Sequence, residues 1–166
     1  MKKDIFKSDC QAIVNPVNCV GVMGAGLAKA FKEKYPEVFE TYLKACNQTD
    51  MSKKLRIGTC LTVRANDGKF IINLPTKDHF KNPSKMEYVE KGVDALIRNI
   101  LHFDIKSVAI PALGAGLGGL NWKDVKEVIS NKMNNLTLKD GTRVEIELYD
   151  PVPFVRKQID KNDLER

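Results

Sequence analysis

The stretch Ile13-Val14-Asn15-Pro16-Val17-Asn18-Cys19-Val20-Gly21-Val22-Met23-Gly24-Ala25-Gly26-Leu27-Ala28 decides how the chain is read. It begins in a short apolar run, 10–16, which reads as a buried strand. Asn15 and Asn18 flank Pro16-Val17 at the strand's exit. A glycine-bearing loop follows and runs into 27–34, where Leu27, Ala30 and Phe31 recur at helical spacing. A strand that leaves through glycines into a helix puts a small-residue turn at the carboxyl edge of an α/β sheet. Ligands bind there. Backbone N–H groups of such a turn, and the helix end behind it, favour an anion.

The same arrangement recurs late in the chain. The apolar run 107–111 reads as a central strand, and 113–120 is a second glycine-rich loop. Asn121 then caps a helix, with Asp124 three residues on. Two such loops suit a diphosphate better than a single phosphate. The asparagines at the first exit can donate to and accept from sugar hydroxyls, although asparagine is also ordinary turn chemistry. Gly114-Ala115-Gly116-Leu117-Gly118-Gly119 matches the G-x-G-x-x-G expression, but no dinucleotide-binding half follows it. No G-x-x-x-x-G-K-[ST] is present, which argues against a phosphate-hydrolysing P-loop.

Between these loops the pattern continues α/β. Pro36 breaks the first helix and opens the next, 37–46. Strands over 59–64 and 69–74 are joined at Asn66-Asp67-Gly68, a hairpin signal. The polar, proline-bracketed segment 74–84 reads as a loop, 86–103 as an amphipathic helix, and 143–149 as a last strand. Strands alternating with helices imply a sheet covered on both faces, and the hairpin makes that sheet mixed.

The 166 residues, 43% hydrophobic and 29% charged, fit one domain with a core of its own and exclude a disordered chain. No apolar run is long enough for a transmembrane helix and no signal-peptide core is present, so a cytoplasmic, membrane-free location is expected. The net charge of +6 is compatible with a polyanionic partner and equally with a solvated surface. Cys10, Cys19, Cys46 and Cys60 have no zinc-type spacing, and only His79 and His102 could add imidazole. No metal and no cofactor are expected, and the cysteines are read as reduced core residues.

These motifs resemble a macrodomain, the ADP-ribose-binding module. The N-P-V-N-x-V-G-V-M-G-x-G-L-A run carries the resemblance, with Leu74-Pro75-Thr76-Lys77-Asp78-His79-Phe80 and Ile110 to Trp122 as later landmarks. Together they are similar to the DNA ADP-ribosyl glycohydrolase antitoxins (DarG type), and less so to the terminal ADP-ribose protein glycohydrolases. The resemblance covers nearly the whole chain: 1–150 as the macrodomain, with 151–166 left as a charged tail. It implies a three-layer α/β/α fold with a mixed central sheet.

The resemblance also implies roles. Asp4 matches the acid that accepts from the adenine amino group, with Ile5 beside it and Tyr149 as a stacking aromatic. Asn18 matches the asparagine at the distal ribose. Gly24, Ala25, Gly26 and Leu27 form the first ligand loop. Gly114, Ala115, Gly116, Leu117 and Gly118 form the second, over the diphosphate. Lys77, the lysine of P-T-K, matches the catalytic group, either as an acid toward the leaving base or as an amine nucleophile. The protein-directed relatives carry an aspartate where this chain has Gly118, which favours ADP-ribosylated DNA, with thymidine the expected base. The alternatives are ADP-ribosylated protein glutamate, O-acetyl-ADP-ribose, ADP-ribose 1″-phosphate, or ADP-ribose binding without catalysis. An ADP-ribosyltransferase toxin is an implied partner. His79 and Phe80 stand open between stacking on a nucleobase and packing under their own loop.

Overall fold

The computed structural model describes residues 4–151. The proposed tail from 152 onward lies outside the described residues, as do residues 1–3. A 3-10 turn at Ile5–Lys7 precedes β1 (Ala12–Val17), α1 (Gly26–Lys34) and α2 (Pro36–Cys46). Then come β2 (Leu61–Arg64), β3 (Phe70–Pro75), α3 (Met86–His102), β4 (Ser107–Ile110), α4 (Trp122–Met133) and β5 (Glu145–Leu148). The sheet order is β2-β3-β1-β4-β5. β1 runs parallel to β3 and β4, and β4 parallel to β5. Only β2 is antiparallel, paired with β3. The sheet is mixed, as the Asp67-Gly68 hairpin implies, and the four parallel strands discharge at one edge.

Strand alternation sorts side chains into two cores. Ala12, Val14, Ile72, Leu74, Val108 and Ile110 face α3 and α4, meeting Val89, Val93, Leu96, Ile100, Val125 and Ile129. Ile13, Ile71 and Ala109 point the other way, to Phe31, Tyr35 and Val38 of the α1–α2 layer. Val17 joins Met23, Tyr42 and Cys46 on that side. Helices therefore cover both faces, in three layers. Each aliphatic side chain buried this fully contributes about 1.5–3 kcal/mol. Gly92, in the middle of α3, is explained by close approach: a Cβ there would lie 2.7 Å from a Leu74 methyl. The weak helix propensity of glycine is accepted so that α3 can sit directly on β3.

Element limits shift by a few residues for local reasons. β2 starts at Leu61 and not at residue 59, because the Thr59 hydroxyl and N–H close a turn on Arg56. β5 starts at Glu145 because Arg143 is spent in a bridge to Thr137, across a turn closed by Gly141. Pro16 is tolerated inside β1 because β4 pairs only with Ala12 and Ile13, so no ladder donor is missed on that side. Among the described residues, no helix is long and apolar enough to cross a membrane.

Candidate functional site

The exits of β3, β1, β4 and β5 lie side by side in that order along one edge of the sheet. They deliver, in turn, the Lys77 segment, the first glycine loop, the second glycine loop and Tyr149. Sequence separations from 35 residues (Gly114 to Tyr149) to 90 residues (Gly24 to Gly114) collapse to adjacency because parallel strands put like ends together.

The first loop is built around Asn18. Its Oδ1 accepts from the N–H groups of Val20 (3.1 Å) and Val22 (3.3 Å) and from the Tyr42 hydroxyl (2.8 Å). Its Nδ2 donates to the Val22 carbonyl at 2.7 Å. Tyr42 also donates to the Asn18 carbonyl and is fully buried, which pushes its hydroxyl pKa up. Asn18 is thus turned inward and shapes the loop. Below it, Asn15 Nδ2 donates to Asn73 Oδ1 at 3.0 Å, both side chains being completely buried. Asn73 passes the network to the Leu61 carbonyl. The loop ends at Ala25, the N-cap of α1, which has no side-chain acceptor for the first-turn N–H groups. Gly26 has φ +58, the left-handed region that favours glycine. The start of α1 is therefore an open cluster of donors at its positive end.

The second loop is closed differently. Leu120 N–H donates to Gly114 O at 2.9 Å, and Ala115 and Gly119 close turns on Ala112 and Gly116. Asn121 Oδ1 accepts from Lys123 and Asp124, so the first turn of α4 is capped by the protein itself. The donors left open here are those of the loop: Gly116, Leu117 and Gly118 have N–H groups without a protein acceptor among the described residues. A Cβ at Gly116 would meet nothing within 4 Å. One at Gly118 would lie 2.4 Å from Ser84 Oγ and 2.5 Å from the Gly114 carbonyl oxygen. Leu117 is 59% exposed and reaches across to the first loop, close enough that a Cβ on Gly26 would sit 3.2 Å from it.

The Lys77 segment is tied to the first loop at three points. Thr76 N–H donates to the Val17 carbonyl at 2.9 Å and Cys19 N–H to the Asp78 carbonyl at 3.3 Å. Cys19 Sγ lies 3.6 Å from the Lys77 carbonyl oxygen. Half-buried, the Lys77 side chain makes no hydrogen bond or ion pair among the described residues. The other nucleophile here, Cys19, has its thiol pushed by burial up to about 11, so it stays protonated at neutral pH.

At the far end, Asp4 caps the 3-10 turn, its Oδ1 accepting from Phe6 N–H at 3.0 Å. Ile5 is buried in the apolar cluster that Tyr149 packs against. The Ser8 and Tyr149 hydroxyls both donate to Glu147 Oε1, at 2.8 and 3.0 Å. Glu147 thereby ties the N-terminal turn to the end of β5. The edge thus carries an acid and an aromatic at one end, two donor-rich loops in the middle and a lysine at the other.

A family model of the Macro domain matches residues 14–129. The chain belongs to the macrodomain family. It is 46% identical over 136 residues to the DNA ADP-ribosyl glycohydrolase of Mycobacterium tuberculosis, a match covering 80% of this chain and 38% of that protein. Among solved structures, the macrodomain of M. tuberculosis DarG superposes with a TM-score of 0.82 at 41% identity, over 92% of this chain and 96% of that one. Thermosipho africanus DarTG, solved in complex with ADP-ribose, gives 0.76 at 32% identity, over 90% of this chain and 40% of that one. The chain spans about two fifths of the length of the curated relatives it matches.

This macrodomain brings Lys77, both glycine loops and Tyr149 to one sheet edge, with Asp4 and Ile5 joined to it through the Tyr149 cluster. Sequence reading missed Tyr42, Asn73, Ser84 and Glu147. No local motif marks them, since each works through a contact with a residue distant in sequence. Among the described residues, no three His, Cys, Asp or Glu side chains converge as metal ligands.

Proposed function

We propose that this macrodomain is an ADP-ribosyl glycohydrolase that releases ADP-ribose from modified DNA, at thymidine. The observation that carries the reading is the tie between the Lys77 segment and the first glycine loop, through Thr76–Val17 and Cys19–Asp78. It holds a lysine that has no hydrogen-bond or ion-pair partner among the described residues beside turns whose N–H groups, unpaired among those residues, suit a diphosphate. The names of the relatives, DNA ADP-ribosyl glycohydrolase and a DarG macrodomain, support the same substrate class. The ADP-ribose complex of a relative supports the ligand.

In this reading the adenine lies between Asp4, Ile5 and Tyr149. The diphosphate takes donors from Gly24 to Leu27 and from Gly114 to Gly118. Asn18 acts on the distal ribose by holding the loop around it. Lys77, as an ammonium, protonates the leaving base while the C1″–N bond breaks. Water adds at C1″ and gives up its proton, so ADP-ribose and unmodified DNA are the products. A lysine-linked intermediate would call for an acid near the second loop to resolve it, and the packing around Gly118 leaves no space for one. An ADP-ribosyltransferase toxin fits as the source of the substrate.

The test is a substrate panel: ADP-ribosylated oligonucleotide, ADP-ribosylated glutamyl peptide, O-acetyl-ADP-ribose and ADP-ribose 1″-phosphate. Wild type is expected to release ADP-ribose from the oligonucleotide. Lys77→Ala should lose roughly 10²–10⁴-fold in rate, the range for a positioned general acid, while still binding ADP-ribose. Undiminished turnover by that variant would remove Lys77 from the mechanism. Turnover of peptide but not of DNA would replace the substrate.

A further inference from the structure

Two and three residues beyond Lys77, on the same segment, the rings of His79 and Phe80 are stacked, with centroids 4.3 Å apart and planes inclined by 28°. The pair is rigidly seated. Asp78 Oδ1 accepts from His79 N–H (2.7 Å) and from Asn82 Nδ2 (3.0 Å). His79 Nδ1 accepts from Lys81 N–H at 3.1 Å, and Asn82 N–H closes the turn on the His79 carbonyl. Asp78 also takes the bond from Cys19, so the aromatic pair is fixed relative to the first glycine loop.

Phe80 is 43% exposed. Its ring contacts are His79 and the Lys81 ammonium, 5.9 Å from the ring centroid. A large part of the ring therefore stays in solvent and is not used by packing under the loop. The segment 77–85 carries Lys77, Lys81 and Lys85 against the single acid Asp78, whose carboxylate is already engaged. A braced aromatic stack with an open side and local positive charge has the chemistry of a seat for single-stranded nucleic acid.

We propose that the His79–Phe80 stack holds a base next to the modified nucleotide, with Lys81 and Lys85 supplying charge for the intervening phosphates. The inference rests on the DNA-directed reading above and sharpens it to a single strand, because a base in a duplex has both faces covered by its neighbours. A peptide offers neither the planar rings nor the regular anions that this arrangement matches.

The test uses two readouts. In the first, wild type, Phe80→Ala and Phe80→Trp are titrated against a fluorescein-labelled oligothymidylate of about eight nucleotides at low salt. In the second, KM and kcat are compared for an ADP-ribosylated oligonucleotide and for the ADP-ribosylated mononucleoside. Phe80→Ala is expected to weaken oligonucleotide binding, and raise KM on the oligonucleotide, by roughly tenfold. Its kcat, its mononucleoside kinetics and its calorimetric ADP-ribose affinity should stay unchanged, and Phe80→Trp should restore binding. Oligonucleotide binding that does not depend on Phe80 overturns the proposal, whatever the turnover. So does dependence on Phe80 for an ADP-ribosylated peptide alone. Binding that depends on Phe80 without any release of ADP-ribose from DNA would uphold the seat and refute the glycohydrolase reading.

Discussion

Gly116 and Gly118 stand two residues apart in the same loop, yet the structure gives them opposite tasks. A methyl group added at Gly118 would lie inside contact distance of three atoms: Ser84 Oγ at 2.4 Å, the Gly114 carbonyl oxygen at 2.5 Å and Gly114 Cα at 2.9 Å. Two of the three are backbone and cannot rotate away, so the loop itself must move. Overpacking of this kind costs about 1–3 kcal/mol. For a chain of this size that lowers the melting temperature by roughly 2–4 °C per kcal/mol, so Gly118→Ala should melt some 2–12 °C below wild type. Adding Ser84→Ala removes one of the three clashes and should recover only part of the loss. At Gly116 the same methyl meets nothing within 4 Å, and the backbone is outside the left-handed region. Gly116→Ala should therefore melt within about 0.5 kcal/mol of wild type. Gly116→Val should fold as well but put bulk into the space assigned to the diphosphate, so that ADP-ribose binding is lost. Thermal melting and calorimetry with ADP-ribose, run on wild type and all of these variants, give both numbers. If Gly118→Ala melts with wild type, or Gly116→Val binds ADP-ribose at full affinity, the loop does not work as described. The same geometry predicts that an aspartate cannot be grafted at 118 without remaking the loop.

Two further outcomes follow from the interior. Asn18→Ala leaves the Val20 and Val22 N–H groups without their acceptor and the Val22 carbonyl without its donor, while the Tyr42 hydroxyl keeps the backbone carbonyl of residue 18. Because Val20 and Val22 are exposed enough for water to replace the bonds, each lost bond should cost about 0.5–1.5 kcal/mol, and loop order with it, read as a lower melting temperature and weaker ADP-ribose binding. Tyr42→Phe, which spares the backbone bonds, should cost about 1 kcal/mol. The thiols should resist alkylation in the native state, because burial pushes Cys19 up to about 11 and Cys60 up to about 12. At pH 8 the thiolate fraction of Cys19 is then about a thousandth. Iodoacetamide should label the thiols at that pH only after unfolding. Both folded values lie above the ordinary value of 9.0. The stability they confer is therefore complete below pH 9 and declines as pH rises through 11 to 12, which melting curves across that range would show. Rapid native labelling of Cys19 would contradict its burial.

The reading of the two asparagines shows where sequence stops. Asn15 and Asn18 both suggested sugar-binding amides from their place at a strand exit. In the fold, Asn15 is completely buried against Asn73, and Asn18 spends its amide on Val20, Val22 and Tyr42. Nothing local distinguishes an amide that faces a ligand from one that braces the loop around it. The two glycine loops looked alike as well, each leading from a strand into a helix. The structure separates them: Ala25 leaves the first helix open, while Asn121 closes the second. That difference was legible, since alanine cannot cap and asparagine can. Conversely, His79 and Phe80 gave no clue to their arrangement until Asp78, Lys81 and Asn82 were seen to brace them.

By itself the sequence determined the local elements and the candidate chemistry. Apolar spacing, the proline after α1, the Asp67-Gly68 turn and the Asn121 cap are effects of neighbouring residues, and they place nearly every strand and helix. Residue type pointed to the two glycine-rich turns, and the resemblance to a macrodomain pointed to Lys77. Only the tertiary structure decided that these lie along one edge of the sheet. Lys77 and Cys19 are 58 residues apart, and Glu147 and Ser8 139 apart. Such pairs meet because parallel strands align their exits and because buried polar groups must find partners wherever the fold brings them. The same long-range packing decided which glycine has room for a side chain and which has none.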